Sequence, residues 1–280
     1  MLAYRHAFHA GNHADVFKHV VLVQLLRHMA LKEKGVRIVD THAGAGLYAL
    51  DSPQALKKAE YLQGIARLWA RHDVPPPVAD YLQPLRLLNP DGQLQQYPGS
   101  PLLARQHLRP QDQLRLFELH PADHQALQER LGADPGIELR QADGFAALKS
   151  QLPPPTRRAL VLIDPSYEGH ADYARVVETL RDALRRFAQG VYMVWYPVVS
   201  KPGAEALVQA LKKLAPAGWL HARLVLQPTD ALGFGLAGSG IVVINPPYTL
   251  HGQLQGLLPW LVQVLGQYPG AGHALEQRSA

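Results

Sequence analysis

Short apolar runs alternate with amphipathic helical segments along most of this chain, and this alternation limits the possible folds more than any other feature. Seven of the runs are predicted strands: Arg37–Asp40, Arg115–Leu119, Ile137–Gln141, Ala159–Ile163, Val191–Tyr196, Leu220–Leu226 and Ile241–Asn245. Helical segments separate the second to sixth strands, and such crossovers connect parallel neighbours. The pattern therefore predicts an open, mostly parallel α/β sheet.

The connection before the last predicted strand differs from the others. Residues 227–240 are rich in glycine, contain Pro228 and show no helical period. Because no crossover helix is predicted there, we expect the seventh strand to run antiparallel to the sixth. A seven-strand sheet with one antiparallel strand is the architecture of the class I S-adenosylmethionine-dependent methyltransferases, which have a Rossmann-like fold. This likeness is an analogy at the level of the fold.

The longest interruption of the pattern lies between the first two predicted strands, which are separated by about seventy residues. It contains two helical patches, Pro53–Arg71 and Val78–Leu88. We expect residues 47–100 to form a small helical insertion within a single domain that spans residues 1–280. A helix over His13–Lys34, capped by Asn12, is predicted before the first strand.

Composition excludes several classes of protein. The chain has no cysteine, which excludes disulfides and thiolate metal sites. Its first residues lack the apolar core of a signal peptide, and no apolar stretch near them is long enough to span a bilayer. We therefore expect a soluble cytoplasmic protein without a membrane anchor. The net charge of +5 suits a polyanionic partner such as nucleic acid, although many enzymes of small molecules are equally basic.

Three predicted strand ends carry residues suited to bind a nucleoside. Asp40–Gly46 follows the first strand, and its glycines allow the backbone to approach a ligand closely. Glu118 near the end of the second strand could accept hydrogen bonds from ribose hydroxyls. Asp143, followed by Gly144 after the third strand, could accept an adenine amine. A tight turn with two solvated acids is the structural alternative, but three strand ends in register favour nucleoside binding.

The segment Asp164-Pro165-Ser166-Tyr167 directly follows the fourth predicted strand. The lone pair of an exocyclic amine is delocalised into its base. Two acceptors, the Asp164 carboxylate and the Pro165 carbonyl, would favour a pyramidal nitrogen with an exposed lone pair. Tyr167 offers a face on which an extruded base could stack. The segment therefore predicts methylation of an amine, with Asp164 as the catalytic acceptor and no requirement for a metal.

A second segment, Asn245–Tyr248 (NPPY), matches the amine-methylating pattern better as a string of letters. If the seventh strand is antiparallel, its carboxyl end lies on the edge of the sheet opposite Gly44 and Asp143. We therefore interpret Asn245–Tyr248 as a structural turn.

The N-terminal run Tyr4–His19 contains four histidines and Lys18. Their spacing fits no common zinc pattern, so no metal is predicted. Histidine, lysine and tyrosine together suit contacts with phosphates and bases. A solvated arm in front of a capped helix is the alternative interpretation.

Several of these segments resemble one family along essentially the whole chain. They are Tyr4–His19 (YRHAFHAGNHADVFKH), Asp40–Gly46 (DTHAGAG), Tyr97–Pro101 (YPGSP), Glu118–Pro121 (ELHP), Ala142–Phe145 (ADGF), Asp164–Glu168 (DPSYE), Trp195–Pro197 (WYP) and Ile244–Pro247 (INPP). The chain thereby closely resembles the bacterial 23S ribosomal RNA adenine-N6 methyltransferase J family. The resemblance implies transfer of a methyl group from S-adenosylmethionine to one adenine of 23S ribosomal RNA, at position 2030.

The resemblance also implies roles for individual residues. Cofactor contacts are implied at His19, His42, Ser100, Glu118, Asp143 and Gly144. Asp164 is implied as the catalytic acceptor and Tyr4 as an RNA contact, to which we add Lys18 and Tyr167 as substrate-binding residues. The family usually has proline where this chain has Ser166. Because the Asp164 and Pro165 acceptors survive, we expect the same activity from a less rigid turn.

Two other functions stay open at the level of sequence. Similar motifs methylate adenine in DNA or glutamine in protein, although no added DNA-reading domain is recognisable. A non-catalytic RNA-binding or ribosome-assembly protein could also keep this fold, but intact Asp164 and Tyr167 argue against it. We expect a monomer that binds 23S ribosomal RNA without an obligate protein partner.

Overall fold

The computed structural model of the chain describes residues 5–199, 203–215, 217–228 and 235–279. Its strands are β1 (Arg37–Asp40), β2 (Leu47–Ala49), β3 (Gln96–Pro98), β4 (Gln113–Glu118), β5 (Ile137–Gln141), β6 (Ala159–Ile163), β7 (Val191–Val198), β8 (Trp219–Val225), β9 (Gly238–Ile244) and β10 (Gly272–Arg278). Its helices are α1 (His13–Ala30), α2 (Pro53–Lys58), α3 (Ala66–Trp69), α4 (Pro76–Leu88), α5 (Ser100–Gln106), α6 (Pro121–Leu131), α7 (Gly144–Gln151), α8 (Ala171–Arg186), α9 (Ala204–Leu214) and α10 (Leu250–Leu265).

The main sheet has the strand order β10-β8-β9-β7-β6-β1-β4-β5. Strands β5, β4, β1, β6 and β7 are parallel to one another. Strand β9 lies between β7 and β8 and is antiparallel to both, which confirms the direction predicted for the last strand. The predicted α/β methyltransferase architecture is therefore confirmed.

The sheet has eight strands, not the seven expected. The additional strand, β10, pairs antiparallel with β8 at the edge of the sheet, so that β9 and β10 both run against the other six. Sequence patterning missed β10 because four of its seven residues are polar and none is buried. An edge strand packs on few neighbours and needs no continuous apolar run.

Apolar residues on both faces of the sheet form the core. All five residues of β6 are buried, as expected for a central strand covered by helices on both sides. Helix α1 is also buried along almost its whole length. It ends at Ala30 rather than at the predicted Lys34, and Leu31 to Lys34 are exposed. Because α1 is buried, its polar residues must find partners inside the molecule.

The segment over residues 47–100 begins with β2, ends where α5 starts, and carries α2, α3 and α4. Strands β2 and β3 pair antiparallel, which brings its two ends together. The helical patch predicted over Pro53–Arg71 is divided into α2, a 3₁₀ turn (Glu60–Gln63) and α3. Within the described ranges, no helix is long and apolar enough to cross a membrane.

Candidate active site

A cavity of about 700 Å³ lies at the carboxyl edge of the parallel strands. Residues at or just beyond the carboxyl ends of β1, β4, β5, β6 and β7 line it, together with α1 and the segment that precedes α1. Eight residues singled out by the sequence meet in its wall: Lys18, His19, His42, Ser100, Glu118, Asp143, Gly144 and Asp164. Tyr4 lies outside the described residues.

The glycine turn after β1 is held by Glu118 at the end of β4. The backbone N–H of Gly44 donates to Glu118 Oε2 at 2.7 Å, and the N–H of His120 donates to Oε1 at 2.7 Å. Gly44 has a φ of +64°, and a Cβ there would lie 2.5 Å from the Tyr48 hydroxyl oxygen. Burial raises the pKa of Glu118 above its usual range. The turn and the carboxylate therefore form one preorganised unit.

Asp143 caps α7 at the end of β5. Its Oδ1 accepts the N–H of Phe145 at 3.0 Å, and its Oδ2 accepts a hydrogen bond from the guanidinium of Arg175. The same guanidinium lies 4.4 Å from the centroid of the Phe145 ring. Gly144 packs directly on the β1 turn, since a Cβ there would lie 1.9 Å from the Thr41 carbonyl oxygen. Only glycine permits this close approach of the two strand ends.

Two histidines in the wall are buried and hydrogen-bonded. The Thr41 hydroxyl donates its one hydrogen to the Leu162 carbonyl at 3.0 Å. The same oxygen therefore accepts the Nδ1–H of His42, which lies 2.8 Å away. His19 Nδ1 lies 2.8 Å from the Tyr97 hydroxyl. Burial lowers the pKa of His42 to about 4 and that of His19 to about 3. Both imidazoles are therefore neutral near pH 7.

Ser100, at the start of α5, is joined to the end of β1. Its hydroxyl donates to Asp40 Oδ2 at 2.6 Å, while Asp40 Oδ1 accepts the His42 N–H at 3.2 Å. Burial raises the pKa of Asp40 to about 6. Spacing alone gives no reason to single out Ser100, which follows the first strand by some sixty positions.

Asp164, directly after β6, is paired with Lys18 of α1. The Lys18 ammonium lies 2.7 Å from Asp164 Oδ2 and 2.9 Å from Asp15 Oδ1. Its side chain is 7% exposed, so it is a buried bridge between two carboxylates and not a solvated surface cation. The two flanking carboxylates raise the pKa of Lys18 well above its usual range despite its burial.

Tyr167 does not lie in the cavity wall. Its hydroxyl donates to the Trp195 carbonyl at 2.7 Å, and its ring centroid lies 4.7 Å from that of Tyr173. Trp195 and Pro197, at the end of β7, line the cavity in its place. Stacking of a base on Tyr167 stays a prediction that requires this side chain to reorient.

The rival segment lies where the strand direction predicts. Asn245 follows β9 on the opposite edge of the sheet and has a φ of +53°. Its side-chain amide donates to the carbonyls of Ala188 at 2.7 Å and Gly190 at 2.6 Å. Asn245 is therefore part of a structural turn, as interpreted from the sequence.

Sequence reasoning gave no individual role to three residues of the site: Asp15 and Trp195, which lie in the family-like segments, and Arg175, which does not. Asp15 precedes Lys18 by three positions, which places both on one face of a helix, and this spacing is the one local signal that could have identified it. The contact between Arg175 and Asp143 depends on packing of α8 beside α7, for which the sequence has no local pattern.

The donor and acceptor chemistry of the cavity fits S-adenosylmethionine. The Glu118 and Asp143 carboxylates lie at the ends of neighbouring strands beside a glycine turn, as acceptors for ribose hydroxyls and an adenine amine require. In the described part of the chain, no group of three or more histidine, aspartate or glutamate side chains could hold a metal ion.

The strand order, the glycine turn and the carboxylates at successive strand ends define a methyltransferase of the Rossmann-like class. A family model described as "Ribosomal RNA large subunit methyltransferase D, RlmJ" matches residues 33–277. The chain belongs to this family.

Relatives support the assignment along the full length. The chain is 44% identical over 274 residues to Ribosomal RNA large subunit methyltransferase J of Escherichia coli (strain K12), covering 98% of this chain and 97% of the relative. It is 44% identical over 266 residues to the protein of the same name from Haemophilus influenzae, covering 95% and 94%. A solved structure from Legionella pneumophila has a TM-score of 0.87 and 33% identity, covering 97% of this chain and 98% of that one.

Proposed function

We propose that this methyltransferase transfers a methyl group from S-adenosylmethionine to the N6 amine of adenine 2030 in 23S ribosomal RNA. Both relatives are named as methyltransferases of the large-subunit ribosomal RNA, which supports the substrate class. One observation carries the proposed reaction. The Asp164 carboxylate and Pro165 line the same cavity as Glu118 and Asp143.

In this proposal, the residues at the ends of β1, β4 and β5 hold the cofactor. Glu118 accepts the ribose hydroxyls, and Asp143 accepts the adenine amine beside the Phe145 ring. His42, being neutral, offers its Nε2 as an acceptor, because its Nδ1–H is directed to Thr41. His19, Ser100 and Gly144 complete the wall on the side of α1, α5 and α7.

When bound, S-adenosylmethionine would supply an electrophilic methyl group. The lone pair of adenine N6 would form the new C–N bond, and the electron pair of the broken C–S bond would stay on sulfur. The nitrogen then carries a positive charge until one of its protons leaves to water. Asp164 accepts an N6–H, which favours a pyramidal nitrogen and stabilises the developing charge. Its Oδ2 is engaged by Lys18, so Oδ1 is the oxygen we assign to the amine. Positioning and electrostatics therefore supply the acceleration.

The target adenine must leave its stack to reach this cavity, as in other enzymes that act on a base. Trp195 at the end of β7 offers an aromatic face beside Asp164, and Tyr167 lies behind it with ring centroids 6.1 Å apart.

Tyr4 is proposed to contact the RNA. The chain is proposed to act as a monomer in the cytoplasm, on ribosomal RNA. Ser166 leaves the two acceptors in place, so we expect the same reaction as in relatives with proline there.

The test is methyl transfer from labelled S-adenosylmethionine to unmodified 23S ribosomal RNA, to duplex DNA and to glutamine-containing peptides. We expect label in RNA alone, recovered as N6-methyladenine after digestion and mapped to one position. Preferred labelling of DNA or peptide would replace the proposed substrate with that class. Failure to bind S-adenosylmethionine in calorimetry would favour a non-catalytic RNA-binding protein.

A further inference from the structure

Three charged groups, the buried Asp15 and Lys18 and the partly buried Asp164, lie in a row at the reacting end of the cavity. Lys18 Nζ bridges Asp164 Oδ2 at 2.7 Å and Asp15 Oδ1 at 2.9 Å. The exposed fraction is 2% for the Asp15 side chain, 7% for Lys18 and 14% for Asp164. With two carboxylates and one ammonium, the row carries one net negative charge.

Asp15 is the most constrained member of the row. Its Oδ2 accepts the backbone N–H of Gly11 at 3.0 Å and lies 2.8 Å from His6 Nε2, while its Oδ1 accepts Lys18. A carboxylate that accepts three hydrogen bonds in a buried site keeps its charge. The other titratable groups nearby are Asp40, which is hydrogen-bonded to Ser100, and His19, which is neutral near pH 7.

The proposed reaction makes the charge of this row important. Transfer of a methyl group to a neutral amine places positive charge on nitrogen, beside the acceptor Asp164. A Lys18 ammonium without a second partner would cancel the charge of Asp164 where the new cation forms. Charges that face each other a few ångströms apart in a water-poor site interact strongly, because little solvent screens them.

We infer that Asp15 is a positioning residue for methyl transfer, which neutralises Lys18 and so leaves the charge of Asp164 available to the reacting nitrogen. This inference rests on the proposed function. Lys18 holds Asp164 in place by a hydrogen bond, and Asp15 removes the electrostatic cost of having an ammonium there. Asp15 touches neither the base nor the cofactor in this arrangement, and it acts through Lys18.

The first test compares Asp15→Asn with the wild type in single-turnover methyl transfer, with RNA and S-adenosylmethionine both saturating. We expect the rate constant to fall about 10- to 100-fold, which is less than the roughly 10²- to 10³-fold loss of a direct active-site donor because Asp15 acts through Lys18. The affinity for S-adenosylmethionine, measured by calorimetry, should stay within about twofold, because the contacts of Asp15 are with Gly11, His6 and Lys18 and not with Glu118 or Asp143. A rate constant equal to that of the wild type would overturn the inference.

The second test adds Lys18→Met to Asp15→Asn, which returns the row to one net negative charge. Lys18→Met alone completes the cycle, so that the loss of the Lys18 contact to Asp164 is common to two of the variants. If charge is the reason for Asp15, Asp15→Asn slows the wild type but changes the rate constant of Lys18→Met by less than about threefold. If Asp15 matters by holding Gly11 and His6 in place, Asp15→Asn lowers the rate constant about equally in both backgrounds, and that result overturns the inference.

Thermal unfolding of each variant controls for loss of the fold. Should Asp15→Asn fail to fold, the double variant is compared with Lys18→Met, because both lack the Lys18 ammonium. A rate constant of the double variant within about threefold of that of Lys18→Met then supports the inference, and a larger loss with cofactor binding intact overturns it. Absence of label in RNA with the wild-type enzyme would instead be a failure of the proposed function.

Discussion

At the scale of single residues, three carboxylates in the cavity are held by different sets of donors. Glu118 accepts two backbone N–H groups, Asp143 accepts one backbone N–H and a guanidinium, and Asp164 accepts an ammonium. Backbone donors are fixed by the fold, whereas Arg175 and Lys18 have flexible side chains that can move when a ligand arrives. We therefore expect Glu118 to be rigid in every state, and substitutions there to affect cofactor binding most directly.

Glu118→Gln should raise the dissociation constant of S-adenosylmethionine about 10- to 100-fold. An amide has only one acceptor oxygen, so either the Gly44 or the His120 N–H would face another N–H group and the glycine turn would shift. Isothermal titration calorimetry measures the effect. Glu138→Gln is the matched control, because Glu138 pairs with Arg115 on β4 and lies outside the cavity wall. Equal affinities for the two variants would contradict the account.

At the scale of elements, α1 is the part of the fold that links the sheet to the site. Within its first two turns it carries the cap Asn12, then Asp15, Lys18 and His19, all of which are buried. A helix in this position must be anchored at its first turn, because a small shift would move the ammonium away from Asp164. Asn12 supplies that anchor, since its side chain accepts the N–H groups of Ala14 and Asp15 and donates to Glu60.

Asn12→Ala should lower the free energy of unfolding by about 1–2 kcal/mol, because two N–H groups at the start of a buried helix lose their acceptor. Urea unfolding followed by circular dichroism measures the change. Ser52→Ala provides the comparison, since Ser52 caps the short and largely exposed α2 through one hydrogen bond of 3.2 Å. We expect a smaller loss there, and a loss as large as that of Asn12→Ala would argue against a special role for α1.

Sequence patterns predicted those helices and strands whose composition is dictated by burial. The bounds of β1, β5 and β6 match the predicted strands, and the direction of β9 followed from the missing crossover helix. The three-residue strands β2 and β3 and the polar edge strand β10 were not predicted, because none of them needs a continuous apolar run.

The residues of the site likewise fall into those that local patterns predicted and those that they did not. The glycine turn, Glu118, Asp143 and Asp164 could be predicted because each directly ends or follows a strand. The contact between Lys18 and Asp164 joins residues 146 positions apart, so no local pattern encodes it. Their functional pairing became visible only when α1 was placed against the carboxyl edge of the sheet.

At the scale of the whole molecule, the cavity contains several groups whose protonation differs between the folded and unfolded chain. Burial lowers the pKa of His13 to about 4, of His19 to about 3 and of His42 to about 4. Burial raises the pKa of Asp40 to about 6. The histidines bind protons more readily in the unfolded chain and Asp40 binds one more readily in the folded chain, so their effects on stability have opposite signs.

The free energy of unfolding should therefore fall as the pH falls from about 6.5 to about 4. Above their unfolded pKa the three histidines are neutral in both states, and their stabilising effect is fully present; it is lost as the pH falls towards their folded pKa. Between about pH 6 and 4, the folded chain binds one proton at Asp40, which offsets one of the three protons that the histidines bind in the unfolded chain. Near pH 5 these four groups by themselves give a net uptake of about two protons on unfolding, which corresponds to a slope of roughly 3 kcal/mol per pH unit. Urea unfolding at pH 7 and pH 5 measures it. His42→Asn should reduce the slope, and equal stability at the two pH values would contradict the burial of these histidines.

The whole fold also determines which edge of the sheet carries the chemistry. Because β9 is antiparallel to β7, Asn245 and Asp164 lie on opposite edges, and only Asp164 reaches the cavity.

The most direct test is single-turnover transfer of labelled methyl to unmodified 23S ribosomal RNA by the wild type, Asp164→Ala and Asn245→Gly. Glycine is chosen at 245 because it accepts the positive φ while removing the side chain. We predict that Asp164→Ala abolishes N6-methyladenine formation while S-adenosylmethionine still binds, and that Asn245→Gly is less stable but active. Label that persists in Asp164→Ala and disappears in a folded Asn245→Gly would contradict the assignment of the active site to the carboxyl edge of the parallel strands.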